Sequence, residues 1–242
     1  MKWFGRYGSG AESPRPRSSA RSRSKGRELP IDRVALGDVA LDPVKVIAQA
    51  AYLQLGQFAA LSRAAAEAPD LESKSTLATA AGRLLAKHRT LVSALERRGV
   101  DAAAAMRPYA ASSDSFFETA AGANWAESLT ASYLVGGLLD DFFARLVVGL
   151  EPDGPELARL LLGPSGAEEI VAILSAATAS DPRLGSRLAV WGRRLVGDTL
   201  LIARSALPET VRTPTGEARV EPVLTELMAD HTRRMDRLGL TA

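Results

Sequence analysis

Along this chain the apolar positions recur every three or four residues, and no run of strand length alternates with a period of two. That periodicity predicts helices. Val44, Ile47, Ala51, Leu55 and Phe58 make one stripe. Asp42 and Pro43 precede it as an N-cap acid and a first-turn proline, and Ala68 to Asp70 break it. A second helix is predicted from about Leu71 to Arg98, striped by Leu77, Ala81, Leu84, His88, Leu91 and Leu95, with Gly99 as its C′ glycine.

Residues 100–123 form a long connection with room for one short helix, which predicts a crossover rather than a tight antiparallel turn. Asn124 and Glu127 make a capping-box pattern for a third long helix, to about Leu150. A short helix follows from Glu156 to Leu162. Ser165 and Glu168 repeat the capping pattern for a helix to about Thr178. Asp181-Pro182 starts another, to about Ala206, striped by Leu184, Leu188, Trp191, Leu195 and Ile202. The stretch PETVRTPTGEAR reads as a loop, and a last helix runs from about Pro222 to Leu238, ended by Gly239. The predicted class is all-α: a long-helix bundle with a crossover and extra C-terminal helices, spanning residues 39–242.

Composition fits this and adds a division. Hydrophobic residues are 46% of the chain but aromatics only 5%, so the core is built of Ala, Leu and Val. The net charge of +2 is misleading, because residues 1–28 carry +6 and the rest −4. A mildly acidic body argues against a fold with a broad basic face for nucleic acid. Residues 1–38 are Arg/Ser/Pro-rich (SPRPRSSARSRSKGR) and are predicted to be disordered. A solubilising tail is the plain reading. The alternative is an arm for RNA or an anionic membrane surface, using Trp3, Phe4 and Tyr7 among the bases of residues 1–28. With no cysteine, no secretory signal and no run of about 18 apolar residues, a cytoplasmic protein without a transmembrane helix is expected.

A bundle with a crossover suggests where to look for chemistry. Such folds bind two irons through one Glu from each of two helices and Glu-x-x-His from each of two others. The inward polar positions here are Gln54, His88 (with Leu85 three residues before it), Asp140 and Asp141 beside Gly136-Gly137, Asp198, and His231. Gln54 is expected as a buried, hydrogen-bonded amide, with His88 a possible partner. His88 and His231 read as packing histidines, and Asp140 and Asp141 as surface carboxylates. Asp198 is expected to pair with Arg193 or Arg194. No phosphate-binding glycine loop or nucleophile elbow is present.

Several segments together resemble a known family. They are AAYLQLGQF (Ala50 to Phe58), RRGVDAAAAMRPY (Arg97 to Tyr109), NWAESLTASYLVGGLLDDFF (Asn124 to Phe143), DPRLGSRLAVWGRRLVGDTL (Asp181 to Leu200) and HTRRMDRLGL (His231 to Leu240). They resemble the actinobacterial ferritin-like proteins related to the tRNA hydroxylase MiaE, over most of the body. The resemblance implies a ferritin-like bundle, a di-iron site and a modified tRNA adenosine as substrate. It also implies ligand positions, which fall on Gln54, Leu85 and His88 and near Gly136, Gly163 and Gly166. Only His88 is a residue type that the implied pattern uses there.

The expected protein is therefore a ferritin-like scaffold with a degenerate metal site and no cofactor, acting as a structural or binding protein rather than an enzyme. One alternative is an active hydroxylase whose iron is held by relocated ligands: Asp140, Asp141, Asp198, His88 and His231. Another is an adaptor working through residues 1–28. A protein partner or a second copy of the chain is compatible with each reading, and the sequence names neither.

Overall fold

The computed structural model describes residues 41–241. The predicted tail and its RNA or membrane role lie outside the described residues. Among the described residues every regular element is helical. The long helices are α1 (Pro43–Ala66), α2 (Leu71–Arg97), α5 (Trp125–Val147), α8 (Pro182–Arg204) and α9 (Pro214–Arg237). Between them lie α3 (Ala102–Met106), α4 (Ala110–Ala120), α6 (Gly154–Leu161) and α7 (Ala167–Ser180). No described helix is long and apolar enough to cross a membrane.

Helix ends follow local chemistry. Asp42 caps α1 by accepting from the amides of Val44 and Lys45, and Asp70 caps α2 by accepting from Ser73. Gly99 closes α2 with a left-handed φ of 73°, which costs glycine least. Asn124 accepts from the Glu127 amide, while the Glu127 carboxylate reaches back to the Ala123 amide, one residue earlier than a standard capping box.

α1 lies along α2, and α5 packs on α1 and α8 while also touching α6, α7 and α9. α5 is buried on nearly every side, from Ala126 to Val147, as expected of a helix at the centre of a bundle. Phe142 and Phe143 are fully enclosed and meet edge to face, with ring centroids 5.3 Å apart.

Three predictions are corrected. The crossover is almost wholly helical, holding α3, a 3₁₀ turn at Arg107–Tyr109 and α4. Ser165 and Glu168 form no capping box: α7 starts at Ala167 after Gly166, which takes φ 89°, and Glu168 turns to Arg237 instead. The last helix starts at Pro214 rather than Pro222. Thr213 caps it, and Pro222 sits inside it, exposed and held by the packing of Val220, Val223 and Leu224.

Candidate functional site

Three helices place polar side chains in the middle of the bundle. Gln54 of α1, Lys87 of α2 and Asp140 of α5 are 2%, 3% and 5% exposed. The Gln54 amide nitrogen donates to Asp140 Oδ1 at 2.5 Å. Lys87 Nζ donates to Asp140 Oδ2 at 2.8 Å and to the Leu161 carbonyl, at the end of α6, at 2.5 Å. Both carboxylate oxygens are thus engaged. Gln54 Oε1 is left without a hydrogen-bond partner. A buried ammonium or carboxylate alone would cost several kcal/mol, and this pairing is what makes either tolerable.

This layer corrects the sequence reading in three ways. Lys87, which the apolar stripe passed over, is the inward residue of α2; Leu85 and His88 are only half-buried. Asp140 is a core residue rather than a surface carboxylate. Gln54 bonds Asp140 and not His88. His88 instead donates from Nδ1 to the Ala51 carbonyl at 2.8 Å, pinning α2 to α1.

The other candidate residues are dispersed. Asp141 is held by Arg234 of α9 at 2.5 Å. Asp198 pairs with neither predicted arginine, since Arg193 donates to the Thr241 carbonyl and Arg194 lies over the Trp191 ring. His231 is buried, and its Nε2 donates to the Gly192 carbonyl at 3.2 Å, leaving Nδ1 unpartnered. Burial pushes its pKa below the usual 6.5, so the ring is neutral. Gly163 closes α6 through its amide to Leu160. A side chain at Gly166 would run into Ala80. Among the described residues, no three His, Asp or Glu side chains are grouped so as to hold a metal ion.

One turn along α1 and α5 from the ion pair, the packing changes. Gln57 faces Gly136, where an added Cβ would lie 3.0 Å from Gln57 Oε1. There a cavity of about 270 Å³ opens between α1, the end of α4 and the first half of α5. Alanine methyls, Phe117 and Val135 form much of its wall, and Arg63 and Asn124 also line it. Gln57 is only 5% exposed, yet its amide nitrogen has no partner. Gln57, Arg63 and Lys87 all escaped the sequence reading, because they lie off the apolar stripes from which the inward positions were read.

A family model described as a ferritin-like domain of actinomycetes matches residues 41–210. The chain belongs to that family. No curated protein matches it. In a ferritin-like domain a di-iron centre calls for four or more carboxylates and two imidazoles converging from the bundle helices. The residues here do not fit that group. The central layer of this ferritin-like domain has one carboxylate, bonded through both oxygens, and a buried ammonium beside it.

Proposed function

We propose that this ferritin-like domain is a non-catalytic binding scaffold, a relative of the tRNA hydroxylase MiaE that has given up its iron chemistry. One observation carries the reading: Lys87 supplies the positive charge at the centre of the bundle. A metal-binding layer needs several deprotonated donors with free lone pairs. Among the described residues the only central carboxylate is neutralised by a covalently attached cation, and the next polar residues are amides. The relocated-ligand alternative draws no support from the geometry, because Asp141 and His231 are spent on separate contacts.

The test is metal content. The full chain is expressed in iron-supplemented medium, purified without chelator and assayed for bound metal. The scaffold reading expects no stoichiometric iron. A value near two irons per chain, the loading of a di-iron bundle, would overturn it.

A further inference from the structure

The outward face of α8 is basic and largely unpaired. α8 turns Leu188, Leu195 and Ile202 into the core. On its opposite side an exposed line runs from Arg183 through Arg187, Val190, Arg194 and Gly197 to Leu201. The steps are 4, 3, 4, 3 and 4 residues, the spacing along which a second helix lies. At 1.5 Å per residue the line is about 27 Å long. Val190 and Leu201 on it are 63% and 70% exposed. An added Cβ at Gly197 would meet nothing within 4 Å, so the line is open there.

Arg193 and Arg204 flank the line, which gives α8 five arginines against one carboxylate, Asp198. Few of these charges are met. The Arg183 side chain has no partner among the described residues. Arg187 and Arg204 reach Asp181 and Glu217 only at 3.8 Å, and stay 61% and 45% exposed. Arg194 lies over the Trp191 ring and Arg193 donates to the Thr241 carbonyl, and neither contact supplies an anion. Asp198, half-buried at the other edge, forms no ion pair with them.

An occupant must therefore bring carboxylates or phosphates. A phosphate polymer would use the arginines but gains nothing from Val190 and Leu201. It finds no stacking platform either, because the Trp191 face is covered by Arg194. The net charge of −4 on the rest of the chain repels a polyanion that runs past the ends of α8. Two apolar residues, eleven positions apart, are too few to seat a helix in a bilayer. A second α8 would set arginine against arginine. A single acidic helix satisfies the whole line. Its apolar stripe covers Val190 and Leu201, the arginine stems lie along it, and its flanking carboxylates take the guanidinium heads.

We propose that the outer face of α8 docks an acidic amphipathic helix of a partner protein. This goes beyond the scaffold reading and does not depend on it, since α8 presents the same face whether or not the bundle centre holds a metal.

The experiment titrates the isotope-labelled full chain with a synthetic helical peptide of about 20 residues, long enough to span the line. The peptide carries leucines on a 4-3 line, glutamates on both flanks and alanines elsewhere. It should shift the backbone amides of α8. Lysines in place of the glutamates should abolish binding, and glutamines in place of the leucines should weaken it about tenfold. Arg183→Gln combined with Arg187→Gln should weaken the glutamate peptide about tenfold, or about threefold for each exposed pair lost. Leu201→Gln should weaken it about fivefold. Melting temperatures of these variants should not move, because all three side chains are exposed. No α8 shift at about 1 mM peptide, equal binding of the lysine peptide, or no effect of the variants overturns the proposal. Tighter binding through α8 of polyuridylate or of phosphatidylserine vesicles at the same salt also overturns it, as does a dimer that Arg183→Gln with Arg187→Gln abolishes. Metal content is read on the same preparation, so an iron-free chain that ignores the peptide sinks this inference and leaves the scaffold reading standing.

Discussion

Lys87 Nζ lies 2.8 Å from an Asp140 carboxylate oxygen, and the two side chains are 4% and 7% exposed. Such a pair is costly to break and cheap to replace. Lys87→Met leaves a bare carboxylate in the bundle centre and should cost about 3–5 kcal/mol of stability. Replacing the whole group, by Gln54→Leu, Lys87→Met and Asp140→Leu together, should recover most of that loss, because apolar residues of similar volume pack where the charges were. Urea denaturation of the two variants checks both values. A neutral Lys87→Met would mean that the ammonium is not held as described.

Stability should fall with pH in two separate windows. His231 has a folded pKa below the unfolded value near 6.5, because burial disfavours its charge. The unfolded chain therefore takes up this proton first, so stability drops as pH falls below about 6.5. Asp153 has the opposite charge and a lower range. Arg98 and Arg97 hold its carboxyl at about 2, below the usual 3.8. Its contribution is present above about pH 4 and is lost as pH falls towards 2. Urea midpoints between pH 7.5 and 2 should show both slopes. His231→Gln should remove the first slope, and Asp153→Asn should flatten the second, which Asp70 and Glu169 share.

At the central layer, the gap between sequence and structure turns on one position. On α2, Leu84 to Leu91 spans two turns, and either the residue three or the residue four along from Leu84 keeps helical phase. Those are Lys87 and His88. Apolar patterning favours the histidine, because a lysine is almost never fully buried unless paired. Its partner, Asp140, is 53 residues away on α5, and no local rule joins them. The helices themselves were legible because their caps and stripes are local: Asp42, Asn124, Asp181 and Gly99 act as their spacing predicts. The start of α9 was hidden by Pro222, which reads as a helix opener but sits two turns inside.

Gly166 has a structural reason to be glycine that a ligand position does not need. Its φ is 89°, and a Cβ there would run into Ala80 of α2. Gly166→Ala should destabilise the fold by about 1–3 kcal/mol, the usual cost of a strained backbone, with more if α2 cannot shift. Thermal unfolding of the variant measures it. Full stability would show that the α2–α7 seam is looser than the packing implies.

The central layer can also be tested by asking which residue of α2 responds to a metal. Leu85 is only half-buried, so Leu85→Glu should fold with a loss of no more than about 1–2 kcal/mol and should bind no iron. Lys87→Glu sets a second carboxylate against Asp140, where a like-charged buried pair is strongly unfavourable. A divalent cation that bridges the two would bind only the folded chain and stabilise it by mass action. Manganese or zinc should therefore raise the melting temperature of Lys87→Glu, by about 2–4 °C for each kcal/mol of linkage. It should leave the wild type and Leu85→Glu unmoved. If instead Leu85→Glu responds and Lys87→Glu does not, the inward face of α2 is the one carrying His88, and the built-in cation does not decide the response to metal.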